Sequence, residues 1–264
     1  MLKISPLFSG SRGNCTLIQS NNVNILLDAG FNYRSIVAAL NSHGLTPKDI
    51  DAIVISHEHS DHVNALSQWT RRTPTPIYAP QLLVDYLQQM VYCSQVQGVV
   101  DSFNIGDVNV DIYECNHDAR CCYGYRFSSG KQAFACVTDT GCVTDELVSF
   151  FTPCGAIMLE SNHDVDMLKK GEYRYSLKRR ILSDSGHLSN EQAADVIGRL
   201  LGGNMVGNTL KNIILSHLSE KNNTHELAFN SAVTACAAHG LTEGKDVTVY
   251  VADQYNNEIT ICLD

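Results

Sequence analysis

Short apolar runs closed by turn residues open the chain. Leu2 to Phe8, Thr16 to Gln19 and Val23 to Leu27 read as strands, separated by Ser9-Gly10-Ser11-Arg12-Gly13-Asn14 and by Asn21-Asn22. After Asp28-Ala29-Gly30, Ile36, Ala39 and Leu40 recur at helical spacing and predict a helix near Tyr33 to Ser42. Leu45-Thr46-Pro47 makes a turn, Ile50 to Ser56 a buried strand, and helices are predicted over about Val63 to Arg71 and Gln81 to Val91. Between Val99 and Val137 strands return, with hairpin signals at Ile105-Gly106-Asp107 and Ser128-Ser129-Gly130-Lys131. Val108 to Glu114 leads to Cys115-Asn116-His117, and Gln132 to Val137 leads to Thr138-Asp139-Thr140-Gly141. Helices then dominate at Thr144 to Phe151, Val165 to Lys170, Tyr175 to Leu182 and Glu191 to Leu201. The last strands, Asn212 to Leu215, Val247 to Val251 and Ile259 to Leu263, flank a helix at His225 to Ala238.

Two runs of strands, each followed by helices, predict an α/β fold with two sheets packed together and helices outside, a four-layer αβ/βα sandwich. At 264 residues and 44% hydrophobic, the chain can bury one large core, and no linker, low-complexity tract or repeat divides it. One domain over residues 1–264 is expected. No apolar run approaches the roughly twenty residues of a membrane span, and Met1 to Ser9 has neither an h-region nor a cleavage site. The expectation is a cytoplasmic protein without membrane contact. Ten cysteines, at 15, 93, 115, 121, 122, 136, 142, 154, 236 and 262, form no CxxC pair and read as reduced, mostly buried thiols. The adjacent Cys121 and Cys122 read as strand residues, with a redox-active pair as the alternative.

One stretch has no packing explanation. His57-Glu58-His59-Ser60-Asp61-His62 follows the apolar run Ala52-Ile53-Val54-Ile55. Alternate residues of an extended segment point the same way, so His57 and His59 can grip one cation while Glu58 and Ser60 face away. Asp61 and His62 come where the chain bends into a helix and can reach a second cation. Mixed imidazole and carboxylate donors suit zinc, iron or manganese better than calcium or magnesium.

Five later polar positions also close apolar runs: His117, Asp139, His163, His187 and His217. Strands that each end in a potential ligand predict one site at a common sheet edge. His163 can contact a substrate phosphate or support a ligand from behind. The net charge is −9, which weighs against a broadly basic nucleic-acid surface, so a nucleic-acid substrate needs a local patch. Lys169, Lys170, Arg174, Lys178, Arg179 and Arg180 supply one between His163 and His187, with Tyr173 and Tyr175 available to stack on bases. A solvated helix face is the alternative. The Ser9 to Asn14 loop, through Ser11, Arg12 and backbone N–H groups, reads either as a phosphate nest or as a hairpin turn.

The HEHSDH motif, followed in order by His117, Asp139 and His217, resembles the metallo-β-lactamase superfamily. Ser9 to Asn14, Glu160-Ser161-Asn162-His163-Asp164 and Arg179 to Asn190 resemble the YycJ/WalJ-type nucleases within it. The resemblance implies the metallo-β-lactamase form of the sandwich and a pair of divalent metal ions. His57, His59 and His117 hold one, Asp61, His62 and His217 the other, and Asp139 bridges them. It implies a shared hydroxide as nucleophile, Asp61 as a catalytic residue as well as a ligand, and DNA as substrate, cut from the 5′ end. Ser185-Gly186-His187-Leu188-Ser189 also resembles a loop of tRNA 3′-processing members, which makes His187 a general acid rather than a ligand. The stretch between Asp139 and His217 is too short for the inserted domain of the β-CASP nucleases. Two other functions stay open: a small-molecule hydrolase, either a cyclic-phosphate diesterase or a thiolesterase, on the same metal frame, and a non-catalytic regulatory protein.

Overall fold

The computed structural model describes residues 1–91, 95–202, 210–255 and 257–264, so Cys93 lies outside the described residues. The first sheet begins as an antiparallel meander of β1 (Leu2–Phe8), β2 (Cys15–Gln19) and β3 (Asn24–Leu27). Helix α1 (Tyr33–Ser42) then carries the chain across, so that β4 (Ala52–Val54) lies parallel to β3. Through α2 (Ser60–Val63), α3 (Leu66–Thr70) and α4 (Val84–Gln88), two further parallel strands are added, β5 (Ile77–Pro80) and β6 (Val96–Val99).

The second sheet repeats the scheme. A meander of β7 (Phe103–Ile105), β8 (Val108–Glu114), β9 (Tyr123–Ser129) and β10 (Gln132–Val137) is followed by parallel β11 (Ala156–Glu160), β12 (Asn212–Ser216) and β13 (Thr248–Val251). The intervening helices are α5 (Asp145–Phe151), α6 (Val165–Lys170), α7 (Tyr175–Ile181), α8 (Asn190–Gly202) and α9 (His225–Ala238). Strand β14 (Ile261–Leu263) returns to pair with β1, giving the orders β14-β1-β2-β3-β4-β5-β6 and β13-β12-β11-β10-β9-β8-β7.

The four expected layers are present. Ile4, Ile25, Val54, Tyr125, Phe127, Phe134 and Ile214 pack between the sheets. Ile36, Leu40 and Trp69 cover the outer face of the first sheet, and Phe151, Val196, Ile197 and Cys236 that of the second. Helix starts are fixed by side chains that accept orphan amide hydrogens: Asn32 from Ser35 N, Thr144 from Leu147 N and Thr224 from Leu227 N. No disulfide joins the described cysteines, and most of these are buried. No described helix is long and apolar enough to cross a membrane.

Several elements differ from the sequence expectation. The helix expected over Val63 to Arg71 is split, and its first piece, α2, starts at Ser60 inside the motif, so Asp61 and His62 already lie on a helical turn. The helix expected over Gln81 to Val91 is a 3-10 turn at Gln81–Leu83 followed by α4. Strands β5, β6 and β11 were given no range in the sequence reading. Pro76 and Pro80 bound β5, and β11 is a fully buried run with no alternation to separate strand from helix.

Candidate metal centre

The site forms where the strands end. His57 follows β4, His117 follows β8, Asp139 follows β10, His163 follows β11 and His217 follows β12, all at one rim, as ligands of open α/β sheets commonly lie. Three residues just beyond strand ends have left-handed backbones without being glycine: Asp28 (φ 60°), Asp139 (φ 59°) and His217 (φ 56°). Each such turn costs about 1–2 kcal/mol and persists where the surroundings fix it, which is typical of functional sites.

Among the described residues four overlapping groups of donors result, one of them Asp139, Glu160, His187 and His217, and two match the expected ligand sets. Ligand atoms of His57, His59 and His117 lie within 4.8 Å of one another, as do those of Asp61, His62 and His217. Asp139 stands between them: its carboxylate oxygens are 3.3 Å from His62 Nε2, 3.8 Å from His117 Nε2 and 3.6 Å from His217 Nδ1. Asp61 Oδ2 lies 3.5 Å from both His62 Nε2 and His217 Nε2.

Most of these imidazoles are held from behind. His62 Nδ1 meets Asp28 Oδ2 at 2.7 Å, and His57 Nδ1 meets Ser56 Oγ at 3.1 Å, with Ser56 in turn donating to Asp28. His117 Nδ1 lies 3.1 Å from the Gly186 carbonyl oxygen, and His217 Nδ1 lies 2.8 Å from Glu160 Oε1. Such partners fix ring orientation and tautomer and strengthen the opposite nitrogen as a donor to metal. Asp28, Ser56 and Glu160, which hold these rings, were left without a role by the sequence reading. Asp28 and Glu160 each close an apolar strand run, the same signal that marks the ligands.

The donor set fits a divalent cation. His57 Nε2, His117 Nε2, His217 Nε2 and Asp139 Oδ2 are buried and have no hydrogen-bond partner, an unusual concentration of unsatisfied atoms in one place. Burial pushes the His57 and His117 imidazoles down toward the neutral, ligating form. Burial opposes ionisation of Asp139, but His217 and His62 hold it well below the usual carboxylate range. For Glu160 burial is likewise outweighed, chiefly by His187, and its carboxyl is held down to about 2. Metal binding is expected to release the protons that these carboxylates otherwise keep on His62 and His217.

A cleft of about 220 Å³ opens over the donors, lined among others by Ser11, Tyr173, Leu177, Arg180 and His187. His187 Nδ1 shares Glu160 Oε1 at 2.8 Å and lies 3.6 Å from Asp139 Oδ1. Burial disfavours its charged form, yet Glu160 and Asp139 leave its pKa raised. Arg180 also forks onto Asp118, with Nη2 2.8 Å from Oδ1.

Other expected substrate contacts fall elsewhere. Arg12 pairs with Glu220 at 3.0 Å on the exposed side of the loop, and Arg179 lies over the Tyr175 ring at 6.0 Å, outside the cleft lining. The structure does not bring His163 to the cleft: it is 1% exposed, and neither ring nitrogen has a partner. Within the basic stripe, Lys178 donates to the carbonyls of Lys169 and Gly171, and Lys170 pairs with Asp166. Of the two readings of the Ser9 to Asn14 loop, the turn accounts for most of its amides. Gly10 N donates to Asn14 Oδ1, Gly13 N to Gly10 O and Asn14 N to Asp61 O.

Comparison with known proteins agrees with this geometry. Residues 23–207 match the family described as the beta-lactamase superfamily domain. The exodeoxyribonuclease WalJ of Streptococcus pneumoniae serotype 2 is 36% identical, over 94% of this chain and 93% of its own. The exodeoxyribonuclease YycJ of Bacillus anthracis is 33% identical, over 96% of each chain. Among solved structures, the metallo-beta-lactamase fold protein YhfI of Bacillus subtilis superposes with a TM-score of 0.74 at 16% identity, covering 99% of both chains, which bears on fold alone. The chain therefore belongs to the metallo-β-lactamase superfamily, in the same family as these two relatives, and is a metal-dependent hydrolase.

Proposed function

We propose that this hydrolase is a phosphodiesterase with two divalent cations that degrades DNA from an end, in the 5′ to 3′ direction, working as one domain over residues 1–264. The observation that carries the reading is Asp139, whose two oxygens face His62 of one donor group and His117 of the other. In this assignment His57, His59 and His117 hold one cation, Asp61, His62 and His217 the second, and Asp139 both. Zinc, manganese and iron suit the donors. Held by these residues, two such ions would supply a hydroxide nucleophile and neutralise charge on a phosphodiester.

The chain's own groups do the rest. Glu160 fixes His187 through Nδ1, which leaves Nε2 to present a proton to the leaving alkoxide, a role worth about 10²–10⁴ in rate. Asp61 bridges toward His62 and His217 and keeps its carboxylate ionised at the reaction centre. Arg180 and Ser11 line the cleft where a phosphate would sit, and Arg12 and Arg179 extend the positive charge outward for the following backbone. The relatives from Streptococcus pneumoniae and Bacillus anthracis, both named exodeoxyribonucleases, support DNA over a small ester.

The test is purified protein loaded in turn with zinc, manganese or iron. It is assayed on DNA with defined, labelled ends and, in parallel, on bis-p-nitrophenyl phosphate. A ladder of products shortening from the 5′ end is expected. Turnover of the small ester alone would defeat the nuclease reading and leave the small-molecule hydrolase. His187→Ala should slow cleavage with metal content unchanged, whereas loss of metal would make His187 a ligand.

A further inference from the structure

A second cavity is larger than the metal cleft. A space of about 450 Å³ opens on the other side of the Ser9 to Asn14 loop, between α1 and the chain before β14. Three aromatic rings line it. Phe8 and Phe31 are stacked with centroids 4.5 Å apart at 9°, and Tyr255 meets Phe31 edge-on at 5.4 Å and 71°. Ser42, His43 and Asn257 add polar groups, and burial pushes the His43 imidazole down toward its neutral form. None of the residues lining the space carries a formal charge at neutral pH. Its volume lies within the roughly 300–1,000 Å³ of ordinary small-molecule sites.

That chemistry excludes phosphate as the occupant and suits a flat, uncharged ring with polar edges. The loop ties the cavity to the cleft. Ser11 lines the cleft, while Gly13 packs so tightly on Phe31 that a Cβ there would lie 2.7 Å from the Phe31 Cα. Arg12, between them, pairs with Glu220, the neighbour of the cleft residue Ser219. Its pKa is raised by Glu220 and, next, by Tyr255 of the cavity. Arg12 therefore places an exposed cation on the loop that carries both the cleft residue Ser11 and Gly13.

We infer that the cavity formed by Phe8, Phe31 and Tyr255 is a nucleobase subsite. It takes one base of the strand whose end lies in the metal cleft, with Arg12 on the intervening phosphate. This rests on the nuclease reading and extends it from the reacting phosphate to a distant base. Stacking on aromatic side chains is tolerant of base identity, so the subsite registers the strand rather than reading its sequence.

The test uses the metal-loaded enzyme, a single-stranded oligonucleotide, and a set of oligonucleotides in which one nucleotide at a time lacks its base. Tyr255→Ala removes a wall of the cavity, and Ala38→Trp fills it from the exposed side of α1. For the unaltered enzyme, one abasic position is expected to raise KM about 5- to 100-fold. In each variant KM for the intact strand should rise by a similar factor, with no further effect of the abasic position, and the change should fall on KM rather than kcat. If Tyr255→Ala fails to fold, Ala38→Trp decides. DNA cleavage with the same KM in the unaltered enzyme and the variants, on intact and abasic strands alike, overturns the subsite alone. No DNA cleavage with any metal overturns the nuclease reading and the subsite with it.

Discussion

His187 and His217 share one oxygen atom: Glu160 Oε1 lies 2.8 Å from the Nδ1 of each. The other oxygen, Oε2, accepts from Thr140 N at 3.2 Å and Leu188 N at 3.1 Å. One fully buried carboxylate thus sets a proposed ligand, a proposed proton donor and the two loops that carry Asp139 and His187.

Replacing Glu160 by Gln tests this. A glutamine has the same size but one acceptor oxygen, so its NH₂ must face N–H donors on one side or the other. Each buried mismatch costs about 1–3 kcal/mol. Glu160→Gln should lower both metal affinity and kcat/KM about 10- to 100-fold. Metal titration and steady-state kinetics on one preparation check both; a fall in kcat/KM alone would confine Glu160 to His187.

Asp139 separates metal pairing from folding. Its left-handed backbone is tolerated by asparagine far better than by alanine, so Asp139→Asn preserves the turn while removing the charge. The variant should keep its circular dichroism spectrum, bind one metal equivalent in place of two and lose turnover. Undiminished activity, measured beside metal content, would refute the bridging assignment.

Two glycines make a matched pair. A Cβ on Gly30 would stand 1.5 Å from the Asp61 carbonyl oxygen, inside the metal loop, whereas one on Gly44 (φ 74°) meets nothing within 4 Å. Gly44→Ala should cost only about 1–2 kcal/mol of backbone strain and leave metal binding intact. Gly30→Ala must displace backbone and should cost about 3 kcal/mol or more, with metal lost from the Asp61 group. Thermal melts with and without metal compare them; equal effects would mean that the loop yields freely.

The residues that the structure gathers at the candidate metal centre were legible because their signals are local. His57 to His62, His117, Asp139 and His217 each end an apolar run, and the order of those runs implied the two sheets. Strands β1, β8 and β10 and helices α1, α6 and α9 were legible to the residue, since turn residues or helix caps stand at their ends. The supports of the site were not. That Asp28 holds His62, or that Glu160 serves two histidines, depends on packing between segments far apart in the chain. The cavity between Phe31 and Tyr255 has the same origin: neither residue belongs to a motif, and only the return of the chain to β14 brings them together. His163 shows the converse, a residue that resembles a site residue by position yet is buried and absent from the cleft lining.

His163 therefore predicts a pH effect on stability. Its ring is 1% exposed with neither nitrogen partnered, and burial pushes its pKa from the ordinary 6.5 to about 4. Below pH 6.5 the unfolded chain takes up a proton that the folded chain refuses until about pH 4. Stability is therefore full above 6.5, falls as the pH drops, and has lost this group's whole contribution below 4. At pH 5 the loss amounts to about 2 kcal/mol. His163→Leu fills a similar space without a titrating group, so its urea-unfolding free energy should fall by about 2 kcal/mol less than that of the natural chain between pH 7.5 and pH 5. Protonation of the proposed ligands weakens both proteins, and His163 makes no hydrogen bond with any of them, although the charges of Glu160 and His187 reach its ring. Parallel losses in the two proteins would mean that the buried imidazole finds a partner when it takes up its proton.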